Sequence, residues 1–139
     1  MKNVLFFFFT LFHVCLYSQQ SIEGIWATYD DNTGKLESEV EIFIKNGKLY
    51  GKIIRLFDMD PNAVCSKCTD HRKNKPVVGM IFMSGLTKNG KEWVGDRVLL
   101  HPNNGKLYDG KVWLESNGKL AVRGYLGWFY RTQYWERIK

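Results

Sequence analysis

From Ile25 onward, short runs of β-branched and aromatic residues alternate with polar ones, and turn residues break the runs at nearly regular intervals. Val40, Ile42 and Ile44 fall on one face of an extended segment while Glu39, Glu41 and Phe43 fall on the other. This is the period of two expected of a strand with one buried face. Asn-Gly pairs stand at Asn46-Gly47, Asn89-Gly90, Asn104-Gly105 and Asn117-Gly118, each between apolar runs. Such a pair supplies the positive φ that a type I′ hairpin turn requires. The pattern predicts strands at 25–29, 37–45, 48–57, 77–84, 92–100, 106–114, 119–126 and 131–138. No segment carries a convincing helical period, and residues 64–73 hold a turn of helix at most.

About eight strands joined mainly by hairpins predict an all-β fold, an antiparallel up-and-down meander closed into a barrel. Closure removes the edges that a flat meander would expose. With about eight strands, the interior either fills with side chains or holds one small ligand. Gly24, just ahead of Trp26 on the opening strand, lets the chain ends pass closely while the indole plugs one end of the sheet. Arg137 on the closing strand is placed to lie over that ring as a cation–π partner. Gly24, Trp26 and Arg137 are therefore expected to be structural.

Composition narrows this picture. A chain of 139 residues suits one domain. Residues 1–18 stand apart: Lys2 gives a positive start, Val4 to Val14 form an apolar run broken by Thr10 and His13, and the small residue Ser18 precedes Gln19. This reads as a secretory signal peptide cleaved after Ser18, leaving 19–139 as a single exported barrel domain, periplasmic or extracellular. The run is shorter than the ~20 residues a bilayer requires, so no transmembrane segment is expected. Lipidation at Cys15 would want a small residue where Val14 stands. The formal net charge is +6, and the chain stays basic without Lys2. Its charges are dispersed, as in Glu39, Glu41, Lys45, Lys48 and Lys52, and no basic block is interleaved with stacking aromatics. Nucleic acid is therefore not an expected partner.

Beyond the leader the cysteines are Cys65 and Cys68, in the longest connection, from Asp58 to about Pro76. In an oxidising compartment a disulfide between them would fasten that loop. Cys65, Cys68 and His71 with Asp58, Asp60 or Asp70 would make a four-ligand metal set, but a single CxxC is a weak zinc signal and oxidation competes for the thiolates. No metal is expected. A thiol–disulfide catalyst would want the first cysteine at a helix N-terminus in a βαβ unit, which this chain lacks. Asp30 to Lys35 reads as a hairpin turn, without the spaced ligands of a calcium loop. Ser84 has no glycine two residues before it and makes no nucleophile elbow. Glu39 and Glu41 read as exposed hairpin charges. No cofactor and no reaction are expected.

The site candidates are polar residues among the aromatics of the C-terminal strands. Arg123 stands beside Gly124, which lets a ligand or another backbone approach, and Asp96 with Arg97 interrupts two apolar runs in the same way. If Arg123 points into the barrel it needs a partner, and Asp96 or Glu136 is available. In the binding reading, Arg123 and Asp96 grip a polar group while Trp93, Tyr108, Tyr125 and Trp135 contact the apolar part of a small amphipathic or cell-envelope-derived ligand. Two structural readings compete: an internal ion pair within packed aromatics, and an envelope interaction module using Trp128, Phe129 and Tyr130 as a protein-binding patch.

Taken in order, several motifs resemble one bacterial family. They are Gly24-Ile25-Trp26, Asp30 to Lys35, Gly47 to Ile53, Cys65 and Cys68 followed by Pro76-Val77-Val78-Gly79, Pro102 to Gly105, Arg123-Gly124-Tyr125 and Arg131 to Trp135. The family is domain of unknown function 2147, and the resemblance covers essentially the whole chain beyond the leader. It implies an exported protein with a small lipocalin-like β-barrel and no established reaction. His101 departs from the pattern, which usually has aspartate before the proline of that turn.

Overall fold

In the computed structural model of the chain, which describes residues 10, 12–15 and 20–139, the alternating runs become eight antiparallel strands. They are β1 (Gly24–Tyr29), β2 (Leu36–Lys45), β3 (Lys48–Leu56), β4 (Ile81–Asn89), β5 (Glu92–His101), β6 (Lys106–Leu114), β7 (Leu120–Leu126) and β8 (Phe129–Arg137). Each pairs with its neighbour in sequence, and β1 pairs with β8 to close the barrel. The leader expected at residues 1–18 falls largely outside the described residues.

The four Asn-Gly pairs do lie at hairpin turns, but in different geometries. Only at Asn46-Gly47 do both residues take positive φ, 51° and 75°, as a type I′ turn demands. At Gly90, Gly105 and Gly118 the glycine alone does so. There Asn104 and Asn117 act through their side chains instead, accepting the backbone N–H of Lys106 and Lys119 at 2.9 and 3.0 Å.

The fourth strand begins later than its composition suggests. Pro76-Val77-Val78 stays in the long connection, where Pro76 makes an isolated bridge to Val64 and Val77 is buried against the core. The strand itself runs on through Gly85, whose φ of 74° accompanies a register shift against β5. The connection is fastened twice. Cys65 and Cys68 form a disulfide, both fully buried. Arg72 donates Nη1 to the Ile81 carbonyl at 2.9 Å and Nη2 to Asp70 Oδ2 at 2.6 Å. That guanidinium holds the Asp70 carboxyl down at about 2. The turn after β5 packs backbone to backbone on this loop: a Cβ added at Gly105 would come within 1.9 Å of the Lys67 carbonyl oxygen.

The two ends of the barrel differ. Trp26, Ile42, Leu49, Leu86, Trp93, Val112 and Leu120 are buried and fill the end from which β1 starts. Trp26 is fully buried, its Nε1 donates to the Ile22 carbonyl at 3.1 Å, and the Arg137 guanidinium lies 4.3 Å from its ring centroid. Arg137 also donates to the carbonyls of Glu23 and Ser21, drawing residues 20–23 under the barrel. Gly24 is required at this seam, since an added Cβ would sit 2.3 Å from the Lys139 carbonyl oxygen. The opposite end is covered only in part, by the long connection and the turn after β5.

Candidate functional site: a cavity open at one end of the barrel

Inward positions along β7 and β8 alternate with outward ones, and with apolar residues of β2, β3 and β5 they make a continuous wall. In the half of the barrel away from Trp26 that wall surrounds a cavity of about 430 Å³, lined by Val40, Ile53, Phe82, Leu99, Val122 and Trp135, among others. Met59 and Val77 from the long connection and Pro102 and Asn103 from the β5–β6 turn contribute at its mouth. Gly124 faces the cavity too, and its missing side chain leaves room.

Polar groups reach the cavity in two places. Deep in the wall, Thr28 Oγ1 and Ser38 Oγ are 2.6 Å apart and buried. One hydroxyl donates to the other, and the acceptor keeps its own hydrogen for a further bond. Along β8, alternate inward residues form a ladder from base to rim. Trp135 Nε1 donates to Gln133 Oε1 at 3.1 Å, and Gln133 Nε2 donates to Asp31 Oδ2 at 2.9 Å. Asp31 also receives Arg131 Nη1 at 3.4 Å, so the β1–β2 turn is tied to β8 across the barrel seam.

Two titratable groups stand at the mouth. Loss of water around Glu37, with the charges of Asp58, Asp30 and Asp31, raises its carboxyl above the usual value. His101, at the end of β5, is shifted down, first by desolvation and then by Arg131, against the opposing pull of its own backbone and of Asp31. Its imidazole is neutral at pH 7 and offers one donor and one acceptor.

The six binding residues nominated by sequence are not gathered in one place. Tyr108 and Trp135 line the cavity. Trp93 packs in the filled end, with Lys88 Nζ 5.9 Å from its ring centroid. Arg123 lies on the outer wall because its neighbours Val122 and Gly124 take the inward positions. There its guanidinium is 4.4 Å from the Tyr130 centroid and 5.0 Å from that of Trp113, and Nε donates to Thr132 Oγ1 at 2.7 Å. Its partners are thus two rings and a hydroxyl, whereas Glu136 meets Lys119 and the Tyr29 hydroxyl. Asp96 and Tyr125 share an outer depression with Asp109 and Lys111. Glu39 and Glu41 pair with Arg55 and Lys52 at 3.9 and 3.7 Å. With both sulfurs in the disulfide, neither cysteine is a thiolate ligand.

Sequence reasoning did not nominate Thr28, Glu37, Ser38, Arg131 or Gln133, and it noted His101 only as a departure from a family pattern. The period of two was the available signal: Arg131 and Gln133 share a strand face with Trp135.

The comparisons place this architecture. A family model described as "Uncharacterized protein conserved in bacteria (DUF2147)" matches residues 24–137. A solved structure, described as "Protein HP1028 from the human pathogen Helicobacter pylori belongs to the lipocalin family", superposes with a TM-score of 0.74 at 26% sequence identity, covering 87% of this chain and 85% of that one. No curated protein matches.

Proposed function

Since the chain belongs to the DUF2147 family of uncharacterised bacterial proteins and folds as a lipocalin-like barrel, we propose that it binds one small amphipathic or cell-envelope-derived molecule and catalyses nothing. The observation that carries this reading is the apolar cavity of about 430 Å³, filled at one end of the barrel and open at the other, with polar groups at its mouth. That volume falls in the range of about 300–1,000 Å³ common to small-molecule pockets. An apolar body of the ligand would lie against Phe82, Leu99, Val122 and Trp135. Its polar head would meet Gln133, His101 and Arg131 at the rim. Tyr108 serves the cavity directly, while Arg123, Asp96 and Tyr125 serve the outer wall. The buried Cys65–Cys68 disulfide supports an oxidising, exported location.

The test uses a fluorescent amphiphile, anilinonaphthalene sulfonate, together with native mass spectrometry of the purified protein. A single probe per chain with blue-shifted emission, displaced when a co-purifying small molecule is added back, is the expected result. No probe uptake and no bound molecule would overturn the proposal.

A further inference from the structure

The turn between β7 and β8 stands at the open end and carries the most exposed aromatic of the barrel domain. Gly127, at φ 60°, reverses the chain, and Trp128 beside it is 93% exposed. Leu126, Phe129 and Tyr130 are also exposed, and Trp128 packs edge to face on Phe129 with centroids 6.3 Å apart. The result is a projecting wedge of rings. Leu126 and Phe129 also line the cavity, so the apolar surface runs unbroken from the outside of the tip into the mouth.

Charge distinguishes this hairpin from the rest of the rim. From Ser116 to Trp135 the chain has Lys119, Arg123 and Arg131 and no aspartate or glutamate. Arg123 lies on the outer wall against Tyr130, and the Arg131 side chain stays 67% exposed despite its contact with Asp31. The acidic residues of the mouth lie on other parts of the chain: Asp30, Asp31 and Asp58 on other connections and Glu37 on β2.

We propose that the β7–β8 tip seats in the headgroup region of an anionic lipid bilayer with the cavity mouth turned toward it. Tryptophan and tyrosine are favoured at that depth because one end of each ring system is apolar and the other hydrogen-bonds. Arginines just behind them attract anionic headgroups. A convex wedge needs no matching groove in a fluid interface, whereas a protein partner would have to supply one. The apolar part of an amphipathic ligand would then pass between bilayer and cavity along Leu126 and Phe129 without crossing water. That transfer rests on the cavity reading, but the docking does not.

Cosedimentation of the purified chain with vesicles tests the docking without any cavity ligand. Vesicles of phosphatidylethanolamine with phosphatidylglycerol are compared with vesicles of phosphatidylcholine alone. The expected result is preferential binding to the anionic vesicles, weakened by salt. Trp128→Ala should weaken it roughly tenfold or more, through loss of the inserted apolar surface, and Arg123→Gln severalfold. Trp128 does not line the cavity, so Trp128→Ala should take up anilinonaphthalene sulfonate as the parent does. Absence of vesicle binding overturns the proposal, whether or not the tip captures another protein. So does equal binding to both vesicles, or binding that Trp128→Ala leaves unchanged.

Discussion

Glu37 shows how a single rim residue is set by its surroundings. Loss of water around it and the neighbouring charges of Asp58, Asp30 and Asp31 raise its carboxyl above 4.5. A carboxyl whose folded pKa lies above its unfolded value favours the fold while protonated, and that contribution is lost as pH rises through the folded value. Ionised Glu37 is therefore a destabilising group at neutral pH. Glu37→Gln is expected to unfold at higher urea than the parent at pH 7, with the difference shrinking toward about pH 4, below which both side chains are neutral. An unchanged difference across that range would contradict the assignment. At this scale the sequence was only partly legible. Tyr108 and Trp135 stood out as aromatics and do line the cavity. Gln133, in the middle of β8, and Glu37, near the start of β2, did not stand out, because a polar residue on a strand is ordinarily read as facing solvent.

At the scale of elements, hairpin signals were dense enough to place the strands, and the Trp26 seam could be read from its residues. What the sequence hid was where alternation fails. Arg97 takes a φ of 53° within a register shift between Gly95 and Leu99, and the consecutive Val98, Leu99 and Leu100 are all buried. The bulge spans four steps from Gly95 to Leu99 against two from Gly110 to Tyr108, so Leu99 keeps the face of Trp93, but Val98 and Leu100, which counting places outward, are buried too. The long connection was hidden for another reason: Val77 is buried without belonging to a strand. The closing seam is short, with Trp26 paired to Arg137 and Ala27 to Glu136. Backbone bonds between Ile25 and residues 138 and 139 extend it, and the fully buried indole packs beneath it. Trp26→Ala should destabilise the fold by about 3–5 kcal/mol in urea unfolding, the usual range for a fully buried tryptophan. A loss below about 1 kcal/mol, within the scatter of surface substitutions, would mean that the ladder closes the barrel without it.

For the whole molecule, the open question at the sequence level was whether the barrel is solid or hollow. Composition does not decide it. An eight-stranded barrel can be filled or can hold a ligand with the same residues. The distribution of those residues decides it: Trp26 and Trp93 lie together at one end, while in the other half Gly124 and the aliphatics Val40, Ile53, Leu99 and Val122 leave space beside Phe82, Tyr108 and Trp135. That asymmetry makes a cup, and the cup is the basis of the functional proposal. Gly124 offers the most direct way to fill it. Its backbone is free of positive φ, and an added Cβ would meet only Tyr108 and Leu99, at 3.7 and 3.9 Å, which is ordinary contact. The deciding measurement is titration of anilinonaphthalene sulfonate into the parent and into Gly124→Leu, with thermal unfolding of both. A leucine growing into the cavity is expected to leave the barrel folded and to weaken probe binding roughly tenfold or more, about 1.4 kcal/mol or greater. A folded Gly124→Leu protein that binds the probe as tightly as the parent would show that binding lies elsewhere.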